Sequence, residues 1–492
     1  MIGTLLAAIT LGTPFSDGAV LQREMEVPVW GKADAGKTVT VAFADAEVST
    51  VADADGKWMV KLPAMAASKE SRTMTVTECE SGWFGSATDT VEVKDVLVGE
   101  VWFASGQSNM DCPIVGGGTR YRDMNGTLVT EMANQKLVRY VKNPHVWSVE
   151  PKPIKATWRA MTAENLRTAG YFSAVAYYYA RELYLALDLP IGIVDSSWGG
   201  TNIDAWTPRC GYEGCDKSIQ ATADYKVKKD WNAKTDRRGP IGGAHQQPTV
   251  LFNGMVASWA PMAMRGFIWY QGCHNSGESQ LYCAKMHALY NGWSKAFANP
   301  DLKLYFVQLA PFTQNWMGIC TAQNKFVAEE KNAALAVTAD VGNFDDIHPN
   351  DKEVVAKRLA VHALKRDYGF EISEDDSPVL KSANFTGGRV EMDFDHVKGW
   401  HVYAPNRSRD AAFEVAGTNG VWTAAKIVNY RQTKGKDGKP ADTDFIDGTK
   451  IAVAADGVAN PVRVRYMGKP RTAGTLYNQA SLPLGPFEAE KK

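Results

Sequence analysis

Five largely apolar runs punctuate the middle of this chain: Val96 to Phe103, Ile191 to Val194, Gly266 to Tyr270, Leu304 to Leu309 and Leu335 to Thr338. Helical segments separate them. A strand that is apolar on both faces must be covered on both faces, so the pattern predicts a parallel α/β sheet flanked by helices. One helix is expected over Phe172 to Leu187, where Ala176, Tyr179, Ala180 and Leu183 recur at helical spacing. A second is expected from Asn350, with Glu353 completing an N-cap pattern and Val355, Leu359 and Ala363 on one face.

The flanks read differently. From Val27 to about Val93, short alternating runs such as Thr38 to Phe43 and Trp58 to Leu62 predict a small β-sandwich. Strands return after about Phe370, at Arg389 to Phe394, Phe413 to Val415, Ile451 to Val453 and Val462 to Tyr466, and Asn429 to Asp447 reads as a long solvated loop. A length of 492 residues suits about three domains, placed at 1–95, 96–370 and 371–492.

Composition narrows the function classes. Lys plus Arg number 54 against 55 Asp plus Glu, so no basic excess exists to displace counterions from a phosphate backbone, and nucleic acid is not an expected partner. No apolar run approaches the roughly 20 residues that span a bilayer, so no membrane partner is expected either. Seven cysteines are too few for a disulfide scaffold; Cys210 with Cys215, or Cys273 with Cys283, are possible pairs, and free buried thiols are the alternative. The apolar run Ile2 to Leu11 lacks a preceding Lys or Arg and reads as a poor secretory signal. A targeting segment is either already removed or not used.

In an open parallel sheet, ligands gather beyond the carboxyl ends of the strands. After the first run stands Ser105-Gly106-Gln107-Ser108-Asn109-Met110, with Ser108 in a tight turn as candidate nucleophile or plain turn serine. Met110 stands where a G-x-S-x-G elbow needs glycine. After the second run, Gly199 and Gly200 offer unobstructed N–H groups for an oxyanion hole or form an ordinary loop. After the third, Asn275 is a candidate amide donor or a turn residue. Cys273 and His274 are adjacent, no second cluster has ligand spacing, and neither metal nor cofactor is expected. Beyond the fifth, His348 follows Asp345 by three residues, a spacing that lets a carboxylate reach Nδ1 and leave Nε2 as general base. Asp345 and Asp346 could equally complement a helix dipole.

Taken together, these segments resemble the SGNH hydrolases, and more closely the sialate O-acetylesterase family, whose nucleophile block reads G-Q-S-N-M. Matching blocks run along nearly the whole chain: Phe15 to Gly18, Val20 to Gln22, Val98 to Trp102, Ser196 to Thr201, Leu251 to Met255, Ile268 to Gly272, Asp346 to Pro349 and Leu476 to Asn478. The resemblance implies an SGNH-hydrolase, flavodoxin-like parallel-sheet core flanked by N-terminal and C-terminal β-sandwich modules. It implies Ser108 as nucleophile, His348 as base, Asp345 as its orienter, and Gly200 with Asn275 as oxyanion donors, Gly199 being the alternative to Gly200. Gln107, Gln271 and Trp198 are expected near the acyl or sugar groups. Where family members often carry Glu then Ser, this chain has Cys273 and His274.

The implied reaction is removal of O-acetyl groups from sialic acids through an acetyl-serine. Acetylated xylan or another acetylated glycan is the alternative substrate, and a non-catalytic carbohydrate-binding protein the alternative of another class. The resemblance also implies a periplasmic or secreted location. Oligomeric state is left open.

Overall fold

A computed structural model describes residues 9–80, 87–115, 134–169, 171–223, 243–403, 412–429 and 443–491. The chain forms two compact units, one of Met1–Trp269 with Lys285–Leu304, the other of Tyr270–Ala284 with Tyr305–Lys492. The architecture is mixed α/β, with a large mixed sheet and smaller additional sheets.

In the first unit, strict alternation builds the N-terminal strands. Lys57–Leu62 buries every second side chain, as does Thr38–Phe43, and their inward residues join a core of Val27, Val29, Val39, Val41, Trp58, Val60, Leu62, Met74 and Val76. The strand Ala87–Gly106 then does two jobs. Up to Val98 it pairs antiparallel with Ser68–Cys79, and from Glu100 to Gly106 it pairs parallel with Ile191–Ser197. The change of sequence character at Val96 therefore marks a change of strand partners within one continuous strand. Ile191–Ser197 is buried throughout and also pairs parallel with Asn134–Lys142. Both of its faces are covered, which is why its residues carry no alternation.

Glu100 sits where the two pairings meet and is fully buried. It accepts from Arg23 Nε at 2.5 Å, Arg265 Nη2 at 2.9 Å and Gln22 Nε2 at 3.1 Å. Burial alone would raise its pKa; the two guanidiniums, Arg265 foremost, outweigh that and hold the carboxyl below its ordinary value.

The first expected helix runs over Ala174–Leu187, with Ser173 Oγ accepting from the Ala176 N–H at 3.1 Å as N-cap. Its expected inward residues Ala176, Tyr179, Ala180 and Leu183 are all buried.

The second unit contains the strands that include Tyr305–Val307 and Ala333–Ala336, the helix Met317–Glu329 and the helix Lys352–Arg366. This last helix starts one residue later than the Asn350 N-cap pattern suggests. Asp351 is the N-cap, accepting from the Val354 N–H at 3.2 Å, a side chain that both satisfies that donor and complements the helix dipole. Small antiparallel sheets follow. Thr443–Asp447, expected within a loop, is a strand paired with Gly399–Tyr403; with only Phe445 and Ile446 apolar it gives almost no periodic signal. The rest of that expected loop, 430–442, lies outside the described residues.

All seven cysteines are free thiols, so neither proposed pairing forms. Among the described residues no helix is long and apolar enough to cross a membrane.

Candidate active site

Each unit carries one part of the expected machinery. In the first, the strand ending at Gly106 turns sharply, Gly106 adopting φ +140°, and delivers Ser108 as the first residue of a one-turn helix, Ser108–Asp111. Gln107 is buried, and its carbonyl accepts from the N–H groups of Met110 at 2.8 Å and Asp111 at 2.9 Å.

The glycine pair lies against this turn, and its two members differ. A Cβ on Gly199 would stand 3.3 Å from Ser108 Cβ, so this position is glycine because backbone and serine approach there. Gly200 has φ +71° with open space around it, so it is glycine for its backbone conformation. The Gly199 N–H donates to Asp111 Oδ2 at 3.2 Å. The Gly200 carbonyl accepts from Gln246 Nε2.

Trp198, expected as a stacking face for a sugar, is stacked by two imidazoles. His145 lies 4.6 Å from it between ring centroids and His245 5.0 Å, both nearly parallel to the indole.

Behind the serine turn is a charge cluster that motif reading missed. Lys142 Nζ contacts Asp111 Oδ1 at 2.7 Å and Asp195 Oδ2 at 3.0 Å. Burial opposes the ammonium, but Asp195 and Asp111 outweigh it and raise the Lys142 pKa. Burial raises Asp195, whereas Lys142 and His145 overcome burial at Asp111 and lower it. A lone Asp195 closing an otherwise apolar run was the available signal, since a buried carboxylate requires a partner.

In the second unit, the carboxylate that meets His348 is Asp346. Its Oδ1 lies 3.1 Å from His348 Nδ1 and also accepts the His348 backbone N–H at 2.9 Å. The contact expected of Asp345 is not formed. Its side chain is 83% exposed and pairs with Arg471 Nη2 at 3.0 Å. The reason is local: an Asx turn folds an aspartate oxygen onto the N–H two residues ahead, and here that same oxygen reaches the imidazole.

Gly272 (φ +149°) precedes the short helix Cys273–Glu278, and a Cβ there would meet Ile319 at 2.9 Å. Asn275 is buried, its Oδ1 accepting from Gln271 Nε2 at 2.7 Å and its Nδ2 donating to Glu278 Oε1 at 2.5 Å. Gln271, expected to meet substrate, is fully buried with its Oε1 accepting from Tyr282 Oη at 2.7 Å. Both ends of its amide are hydrogen-bonded within the protein.

Burial pushes the Cys273 thiol up to about 12, so it stays protonated and is no thiolate nucleophile. Burial also lowers His274, with Glu278 opposing. Folding does assemble ligand-capable groups that spacing did not reveal, among them His362, Asp375 and Asp376. Asp375, however, is already held by His362 at 3.2 Å, Lys365 at 2.7 Å and Arg366 at 2.6 Å, an ion-pair knot rather than an open cation site.

A strand-end serine, a glycine loop beside it, and a carboxylate-paired histidine describe the parts of an ester hydrolase. Comparison with known proteins makes that class particular. Residues 98–365, more than half the chain, match the family described as carbohydrate esterase, sialic acid-specific acetylesterase. Sialate O-acetylesterase from Homo sapiens is 30% identical over 385 residues, covering 71% of this chain and 69% of that protein. The Rattus norvegicus enzyme of the same name is 29% identical over 401 residues, covering 71% and 72%. A crystal structure of a carbohydrate acetylesterase from Xanthomonas citri superposes with a TM-score of 0.80 at 31% identity, covering 99% of this chain and 100% of that one. The chain belongs to the sialic acid-specific acetylesterase family of carbohydrate esterases, and its activity is that of a carbohydrate O-acetylesterase, a carboxylic ester hydrolase.

Proposed function

We propose that this enzyme removes O-acetyl groups from sialic acids through an acetyl-serine intermediate on Ser108, with His348 as general base and Asp346 as the carboxylate that orients it. The observation that carries the reading is the Asp346–His348 contact at 3.1 Å, which fixes Nδ1 as the protonated nitrogen and leaves Nε2 to act as base. His348 takes the proton as Ser108 Oγ attacks the acetyl carbonyl. The oxyanion is met by the N–H groups of Ser108 and Gly200 and by the Asn275 amide. Gly200 is preferred over Gly199 because the Gly199 N–H is directed at Asp111. The sugar hydroxyl departs with the proton returned by His348, and water repeats the sequence to release acetate. Gln107 stays in the reading as a hydrogen-bonding group near the acyl moiety.

The finer architecture belongs to the same reading: an SGNH core at 96–370 between β-sandwich modules at 1–95 and 371–492, in a periplasmic or secreted protein. The parallel pairing of Ile191–Ser197 with Glu100–Gly106 and the alternating N-terminal strands support the first two parts. Family likeness supports the sialic acid substrate.

The test compares acetate release from O-acetylated mucin sialic acids and from acetylated xylan, with acid-quench mass spectrometry seeking an acetyl group on Ser108. Preference for the sialic acids with a Ser108 adduct is expected. Preference for xylan would move the substrate, and the absence of any adduct under burst conditions would remove the covalent mechanism.

A further inference from the structure

We infer that Asp111 is a positioning residue for the esterase reaction, clamping the Gly199 amide, and with it the glycine loop, to the helical turn that carries Ser108. The inference rests on the reading of Ser108 as nucleophile and the glycine loop as oxyanion donor.

Asp111 closes the same one-turn helix that Ser108 opens. One carboxylate oxygen accepts the Gly199 N–H at 3.2 Å and lies 3.5 Å from His145 Nε2. The other meets Lys142 Nζ at 2.7 Å and Ser197 Oγ at 3.3 Å. Ser197 Oγ in turn donates to Asp195 Oδ1 at 2.6 Å, and Asp195 Oδ2 takes Lys142 at 3.0 Å and the Ser173 N–H at 2.9 Å. His145 Nε2 also lies 2.9 Å from the Ser197 carbonyl. The cluster therefore ties the serine turn to the strand end and to the loop, with Lys142 shared between two carboxylates.

Three features make this a positioning device rather than general packing. One Asp111 oxygen is directed at the glycine loop and the other at Lys142 and at Ser197, the last residue of the strand that leads into that loop. Gly199 packs so closely on Ser108 that an added Cβ would stand only 3.3 Å from the serine Cβ, so movement of the loop changes the geometry at the nucleophile. The charged groups are largely withdrawn from water, Asp195 entirely, which strengthens and stiffens their hydrogen bonds.

Asp111→Asn keeps the shape but replaces one acceptor oxygen by a donor, so it cannot serve both Lys142 and Gly199. The expected result, with p-nitrophenyl acetate as substrate, is a kcat lowered about 10- to 100-fold and a KM changed less than about threefold, the signature of lost transition-state geometry. An alkyl boronic acid, which takes the serine oxygen as a fourth ligand on boron, should bind more weakly by a similar factor, while inhibition by acetate is unchanged. Ser197→Ala, which severs the link to Asp195 without stranding a charge, should show the same signature in weaker form. If Asp111→Asn does not fold, Ser197→Ala decides by the same criteria.

An unchanged kcat, a loss confined to KM, or a boronate affinity that does not fall with kcat would overturn the assignment. The wild type and Ser108→Ala are run alongside. A Ser108→Ala protein with near wild-type turnover removes the nucleophile reading and this inference together, whereas an inactive Ser108→Ala with a fully active Asp111→Asn removes the inference alone.

Discussion

His348 Nδ1 lies 3.1 Å from Asp346 Oδ1, and the same oxygen accepts the His348 backbone N–H at 2.9 Å, so one carboxylate oxygen fixes both the ring and the chain that carries it. Asp345, one residue earlier, pairs with Arg471 on the surface. Losing an orienting carboxylate costs up to about 10⁴ in kcat in the serine-protease case. Asp346→Asn is therefore expected to lower kcat by at least about tenfold, and Asp345→Asn to leave it near wild type. Steady-state acetate release on both folded variants checks this, and the opposite ranking would return the role to Asp345.

Glu100 should anchor stability in the first unit. Replacing it by Gln leaves Arg23 and Arg265 facing a neutral group, and breaking a buried pair typically costs about 3–5 kcal/mol. A clear drop in the urea midpoint is expected. Because the folded pKa of Glu100 is lowered, its contribution is complete above the unfolded value of about 4.3 and is lost as pH falls through the lower folded value. The gap between wild type and Glu100→Gln should accordingly close on acidification below about pH 4. A gap independent of pH would contradict the ion-pair account.

The two glycines should fail in different ways. Gly199→Ala places a methyl 3.3 Å from Ser108 Cβ and is expected to cut kcat about tenfold or more with little loss of stability. Gly200→Ala meets no neighbour but forces a left-handed backbone, costing about 1–2 kcal/mol. Parallel kinetics and thermal melts separate the two, and equal kinetic defects with equal melts would show that neither distinction holds.

Cys273 should be chemically quiet despite its place beside Asn275. With its thiol pushed up to about 12, only about one molecule in ten thousand carries a thiolate at about pH 8. Iodoacetamide at that pH is expected to leave Cys273 unlabelled in the folded enzyme, by peptide mapping. Cys273→Ser should retain activity, and rapid labelling with inactivation would reverse this view.

Period and run length were enough, in the sequence alone, to place the strand Ile191–Ser197, the helix Ala174–Leu187 and the alternating N-terminal strands, because each is governed by which faces its residues must bury. The blocks around Ser108, Gly199, Asn275 and His348 were equally legible, since residue type and order carry the family pattern. What the tertiary structure decided was partnership. Spacing cannot distinguish Asp345 from Asp346, because an Asx turn, not the distance along the chain, sets which carboxylate meets the imidazole. Gln271 is held between Asn275 and Tyr282, and Trp198 is stacked by His145 and His245, all of them contacts that spacing along the chain does not announce. The Asp111–Lys142–Asp195 cluster joins residues from three separate segments. Such charges are read poorly from sequence because their cost of burial is settled by partners that only the folded chain brings within reach.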